Sequence, residues 1–345
     1  MRQKAGHLGT DYLFPKLHSL WAESLQGDAL REMLNSGGRR QFDRYLSSLG
    51  IEPAERAFVQ KRLTIRLVDH LAHVAALLEC HFARLYHIFL QRYFVDNLKT
   101  LLTHWYVPAA DVRVEDLLVE SPALPQIDVQ RALESRTVHR FYAALPRTPL
   151  TERLLPLLVE LDDTRDIFAA ECKLDAMWMD LLNQTAREVS GKGGGIAAEF
   201  AGMESDIVNM VIVLRNAEIY GLSDARIDAL CVAGGRYLDA EHLQAMRACD
   251  GREAMLSCLP RPYRHALERH AAAALYVCEN ALWNVLFDRV RDAFRDYQQP
   301  AGTLVAYPWL RRFETLNLAR LYEGFYFDLT PAEIRSMMIG MEGNV

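Results

Sequence analysis

The sequence predicts an all-α protein made of three successive versions of one helical unit. Apolar residues recur every three or four positions through most of the chain, which is the period of one helix face. Helical segments with an internal asparagine recur at Asn97, Asn209 and Asn317, 112 and 108 residues apart, and near-equal spacing is the mark of internal repetition. No stretch alternates apolar and polar residues in the way of a half-buried strand, and no hairpin turn stands between two such stretches.

Near the N-terminus, Leu34, Phe42 and Tyr45 mark a short helix with an aromatic anchor, and Asn35-Ser36-Gly37-Gly38 reads as a loop by turn chemistry. From Ala54 to Tyr106 there is neither Gly nor Pro, and Leu63, Leu67, Leu71, Val74, Leu77 and Leu78 keep the helical step. One helix of that length would be about 80 Å long, so a break is expected inside it. Loops are expected at Ser121-Pro122-Ala123-Leu124-Pro125, Ser190-Gly191-Lys192-Gly193-Gly194-Gly195, Gly234-Gly235 and Gln299-Pro300-Ala301-Gly302.

After Ser121 the pattern restarts. Leu133 with Phe141 and Tyr142, and later Leu256 with Tyr263, repeat the aromatic anchor. Helical steps follow at Leu174, Met177, Leu181 and Leu182, and at Leu275, Leu282, Leu286 and Val290. Trp105 and Tyr106 lie eight and nine residues after Asn97, as Phe325 and Tyr326 do after Asn317, with Tyr220 eleven after Asn209. Ser223 and Thr330 each open a short closing helix, the second with Pro331 and Glu333 in the order of a capping box. The units are bounded as 1–121, 122–240 and 241–345.

Composition narrows the function classes. Of 345 residues, 50% are hydrophobic and 24% charged, with a net charge of -6 and only 6 lysines. That is an ordinary globular balance, and its sign speaks against a nucleic-acid binder. Residues 1–100 carry +4, 101–200 carry -6 and 201–345 carry -4, an acidic field that favours a basic partner. Arg2 and Lys4 precede no apolar run of signal length, and no apolar stretch nears the ~20 residues that cross a bilayer. The protein is expected to be neither secreted nor membrane-spanning. Cys80, Cys172, Cys231, Cys249, Cys258 and Cys278 have no metal-type spacing and read as reduced thiols.

Catalytic motifs are weak. The glycine run at 191–195 lacks the order of a phosphate loop and no strand precedes it, so it reads as an interhelix hinge. His70, His73, His81 and His87, with Glu79 nearby, lie among Leu and Phe without the H-E-x-x-H order of a metal site. No nucleophile elbow or Cys/His pair is apparent. The one sharp alternative is Asp162-Asp163-Thr164-Arg165-Asp166, which reads D-D-x-x-D as in terpene and prenyl synthases, where clustered carboxylates hold Mg²⁺ against a diphosphate. The second metal motif is wanting: the nearest candidate, Asn284, Asp288 and Asp292, has Asp where that motif has Ser/Thr and Glu.

Asparagine is unfavourable inside a helix because its amide competes for backbone hydrogen bonds. One in each unit therefore calls for a partner, either a neighbouring helix or a loop carbonyl that fixes the packing of its own unit, or another protein. The residues around it carry a resemblance. Asp206-x-x-Asn209, Arg215, Gly221-Leu222, Gly234-Gly235 and Leu238, then Tyr307, Glu314-x-x-Asn317-Leu318, Arg320, Gly324 and Glu333-Ile334-Arg335, resemble the central-stalk C/d family of V-type and A-type rotary ATPases, named C in prokaryotic complexes and d in eukaryotic ones. Tyr12-Leu13 with Leu17, Leu20 and Leu25 resembles the start of that family. In the first unit Asp96 stands directly beside Asn97, with Phe94 where the others have an acid, and Tyr322-Glu323-Gly324 departs from a basic residue next to the glycine.

The resemblance, which spans nearly the whole chain, implies a non-catalytic rotor part. Three helical lobes would surround a pseudo-threefold axis as a funnel. Its cavity would take the tip of the rotating shaft, and its other end would rest on the cytoplasmic face of the proteolipid ring. No cofactor, small-molecule substrate or nucleic acid is implied. Asp96, Asn97, Asp206, Asn209, Arg215, Glu314, Asn317 and Arg320 are the repeated positions expected to fix a unit or face a partner.

Overall fold

The computed structural model describes residues 10–52, 56–108, 113–189 and 193–341. Arg2, Lys4 and the Ser190-Gly191-Lys192 part of the expected hinge lie outside the described residues. Among the described residues every regular element is a helix. α1 (Thr10–Ala22), α2 (Gly27–Glu32) and α3 (Gly38–Ser48) precede the long α4 (Arg56–Ala75) and α5 (Cys80–Tyr106). α6 (Val129–Leu133), α7 (Val138–Tyr142) and α8 (Leu155–Thr164) precede α9 (Ile167–Glu188) and α10 (Gly194–Arg215). α11 (Asp224–Leu230), α12 (Ala240–Arg247), α13 (Arg252–Ser257) and α14 (Arg261–Glu268) precede α15 (Leu275–Arg295), α16 (Pro300–Tyr326) and the short α17 (Pro331–Met337).

The break expected between Ala54 and Tyr106 falls at 76–79, where Glu79 is extended (φ -62°, ψ 154°). No Gly or Pro stands there, so packing sets its place: it lets α4 and α5 lie against each other. Some expected loops are helical instead. Asn35 belongs to a π-helical turn, Met33–Gly37, and Gly38 (φ +59°) joins it directly to α3. Gly194 opens α10 and Pro300 opens α16, because the first helical turn has free N–H groups and proline costs nothing there. Thr330 caps α17 in a full capping box, whereas Ser223 makes no side-chain cap bond to α11.

The long helices pack in a closed cycle. α4 lies against α5 and α16, α9 against α10 and α5, and α15 against α16 and α10. Each first long helix thus touches its own partner and the second long helix of the preceding segment. The aromatic anchors follow the same rule. Phe42 packs on Phe325 at 5.9 Å, Phe141 on Trp105 at 4.9 Å, and the Tyr263 hydroxyl donates to Asp206 at 2.9 Å. All three anchors are buried, and full burial of such side chains stabilises by about 1.5–3 kcal/mol each.

The two chain ends share a core. Leu30, Phe42 and Leu46 pack with Leu318, Leu321 and Ile334. A hydrogen bond fixes the first and third segments deeper in. Pro308 has no N–H for the Leu304 carbonyl one turn back, and that carbonyl accepts from the Tyr86 hydroxyl of α5 at 2.7 Å. An obligatory acceptor orphaned by proline is thereby satisfied from a neighbouring helix.

Candidate functional site

The three asparagines make one and the same contact. Asn97 Nδ2 donates to the Val119 carbonyl at 2.9 Å and Asn97 Oδ1 accepts from Val119 N at 2.8 Å. Asn209 binds Val232 in the same pair at 2.8 and 2.8 Å. Asn317 binds Ile339 at 2.7 and 2.9 Å. The partners lie 22, 23 and 22 residues downstream. A primary amide offers a donor and an acceptor side by side, matched here to both main-chain groups of one residue.

The second segment adds a carboxylate to this clamp. Asp206, fully buried, accepts from the main-chain N–H of Arg236, Tyr237 and Leu238 at 3.0, 2.9 and 3.1 Å, and from the Tyr263 hydroxyl. Burial pushes its carboxyl up to about 6 against the pull of those donors. A side chain at Gly235 would place its Cβ 2.4 Å from Asp206 Oδ1, so the loop can wrap the carboxylate only with glycine there.

Five residues before the asparagines stand Arg92, Glu204 and Arg312, and these three converge. Glu204 Oε1 lies 2.6 Å from Arg312 Nη1 and 3.8 Å from Arg92 Nη1, while Oε2 accepts from Trp309 Nε1 at 2.8 Å. Burial pushes the Glu204 carboxyl up, but Arg312, Arg92 and the Trp309 donor outweigh it and hold the group below the usual carboxylate range. Equivalent positions of three segments therefore meet at one point.

Six residues after the asparagines stand Thr103, Arg215 and Glu323, and each reaches the first long helix of the next segment. Thr103 donates to Glu171 at 3.0 Å, Arg215 makes a bidentate pair with Glu279 at 2.6 and 2.8 Å, and Glu323 accepts from Gln60. Glu171, Glu279 and Gln60 lie 38, 38 and 37 residues before their own asparagines, so both ends of the contact repeat. Ten residues after each asparagine, Val107, Ile219 and Phe327 are 62%, 64% and 54% exposed.

The remaining expected residues are placed as follows. Glu314 is buried beside Arg311 at 2.7 Å, with its carboxyl raised mainly by burial. Arg320 donates to Asn280 and to the Met337 carbonyl at 3.1 and 2.5 Å. Asp96 is half-buried near Arg92 and Lys99, its carboxyl raised by burial. Arg92, Glu204, Arg312 and Trp309 are not among the residues that the sequence singles out. Counting back five residues from each asparagine finds the first three, but their charges differ and no shared residue type marks them.

The aspartates at 162–166 are held by neighbours. Asp162 pairs with Arg165 at 3.0 Å, and Asp166 caps α9 through Ala169 N at 3.0 Å and pairs with Arg226. Among the described residues no three His, Cys, Asp or Glu side chains come together as a metal site. His70 instead shares a 2.6 Å hydrogen bond with the Tyr307 hydroxyl. Among the described residues no helix is long and apolar enough to cross a membrane.

Comparison with known proteins agrees with the family resemblance. A family model described as ATP synthase (C/AC39) subunit matches residues 12–337. The C subunit of the A-type ATP synthase of Methanocaldococcus jannaschii is 22% identical over 345 residues, covering 96% of this chain and 86% of the relative. That of Methanobrevibacter smithii is 22% identical over 188 residues, covering 54% of this chain and 49% of the relative. Neither comparison points to a prenyl or terpene synthase.

Proposed function

The chain belongs to the ATP synthase (C/AC39) subunit family of non-catalytic stalk subunits, and on that basis we propose that it joins the rotating shaft of a rotary ATPase to the membrane proteolipid ring on the cytoplasmic side. Its three repeats, bounded at 121/122 and 240/241, form lobes around a pseudo-threefold axis, and the cavity between them takes the shaft tip. The observation that carries this reading is the cycle of contacts, in which equivalent residues of each segment tie it to the next and the third to the first. A shaft is narrow and a ring wide, so torque must cross a part that resists shear. Helices packed at crystal-like density and cross-tied in a closed cycle supply that resistance. The apolar Val107, Ile219 and Phe327, at the ends of three equivalent helices, form the ring-facing end.

The test is reconstitution of the full chain with purified shaft subunits and with detergent-solubilised proteolipid ring, at low and high salt. The expected result is a complex with both. Failure to bind the shaft at low salt, or to bind the ring in either condition, overturns the adaptor role.

A further inference from the structure

Two adjoining cavities of about 290 and 320 Å³ lie between α5, α10 and α16, and Arg92 and Trp283 line both. Their walls differ in character. On the α10 side stand Val208, Val211 and Ile212, all half-buried. On the other side stand Arg92, Arg312 and Arg320, with Asp96 as the carboxylate among them. The other acids nearby are already held: Asp175 by Lys99 at 2.5 Å, Glu279 by the two bonds from Arg215, and Glu204 by Arg312 and Trp309. In a protein of net charge -6, with Glu204 set against Arg312 and Asp96 against Arg92, this wall still carries one guanidinium in excess, that of Arg320.

Arg312 is the decisive residue. It is 5% exposed, and its Nη2 has no hydrogen-bond partner among the described residues. Phe89, Phe313 and Trp283 surround its guanidinium at 5.1, 5.5 and 5.8 Å, which keeps the charge poorly hydrated and its fork rigid. Arg320 donates to two neutral acceptors, Asn280 and the Met337 carbonyl. Guanidinium groups held this way are built for carboxylates, because the planar fork matches the two oxygens.

Resting on the adaptor reading, we infer that the segment of the shaft entering this cavity is acidic, with its carboxylates on Arg312, Arg92 and Arg320 and its apolar side on Val208, Val211 and Ile212. The end of a helical shaft suits the site, since a helix C-terminus adds partial negative charge to its own acidic side chains. The acidic balance of residues 101–345 says nothing of this, because the summed charge of the chain is not the charge of one wall.

The experiment measures the Kd of the full chain for the purified shaft subcomplex, with hexaglutamate, hexalysine and inorganic phosphate as competitors. Hexaglutamate is expected to displace the shaft and hexalysine is not. Arg92→Gln, which also removes one cation from the Glu204 junction and so lowers the melt, is expected to weaken the shaft by about tenfold at temperatures well below that melt. If the shaft binds wild type but neither hexaglutamate nor Arg92→Gln affects it, the inference is overturned and the adaptor role stands. If phosphate displaces it as well as the peptide does at equal charge, the site is one for a free anion and the inference is again overturned. If the shaft does not bind wild type, both readings fall.

Discussion

An amide in the middle of a helix must find partners for a carbonyl and an NH₂ beyond the helix's own bonds, and Asn209 finds them in one residue, Val232. Replacing it with leucine keeps the bulk and strands a buried N–H and C=O. Asn209→Leu is expected to cost about 1–3 kcal/mol in denaturant unfolding. An unchanged unfolding midpoint with weakened assembly would instead place the amide's role at a partner. His70 gives a pH signature. Burial, then Arg311, Arg66 and His73, lower its pKa from 6.5 to about 4. The unfolded chain therefore takes up a proton that the folded chain refuses. Stability should be complete above pH 6.5 and fall as pH drops toward 4, by about 2 kcal/mol at pH 5 before any discount for solvent screening. Unfolding midpoints across that range should show the slope, and His70→Gln, which can still bond Tyr307, should flatten it.

At the scale of elements, identical sequence signals have unequal consequences. Thr330 and Ser223 both precede short helices, yet Thr330 accepts from Glu333 N at 3.3 Å and its own N–H donates to Glu333 Oε2 at 2.8 Å, while Ser223 makes no cap bond. Thr330→Ala is expected to destabilise by about 1 kcal/mol, and Ser223→Ala by far less, as read by thermal melts. Equal losses would mean that α11 is capped by serine in solution. The third residue of each helix differs as well, Glu333 in one and Arg226 in the other, and of these two only the carboxylate can accept the cap residue's N–H.

At the scale of the whole molecule, the long helices of the described residues close a cycle of contacts in which the first, α4, packs on the last, α16. α1, α3 and α4 pack on α16, and the core that α3 and the first half of α4 share with the end of α16 and with α17 contains no residue from the middle of the chain. Deleting residues 1–50 should therefore expose Leu321, Phe325 and Ile334 and loosen α16 and α17, leaving α9 and α10 protected. Hydrogen exchange of the truncated chain tests this; uniform loss of protection would show that the cycle unfolds as one unit. The same cycle carries the aromatic anchors across the expected unit boundaries. Each aromatic anchor, read in the sequence as the start of its own unit, packs on the preceding one.

The all-helical class, a break between Ala54 and Tyr106 and the three asparagines were readable from the sequence, because a 3.6-residue period and a spacing near 110 residues survive wherever the chain goes, and the family was readable as a resemblance carried by the residues around Asn209 and Asn317. The partners of those asparagines, the junction of Arg92, Glu204 and Arg312, and the arginine wall beside it were decided by tertiary structure. Positions 92, 204 and 312 hold opposite charges, and no local rule links an arginine to a glutamate 112 residues away. They matter to one another only once the cycle of helices closes, takes them out of water and makes each charge depend on the others for its solvation.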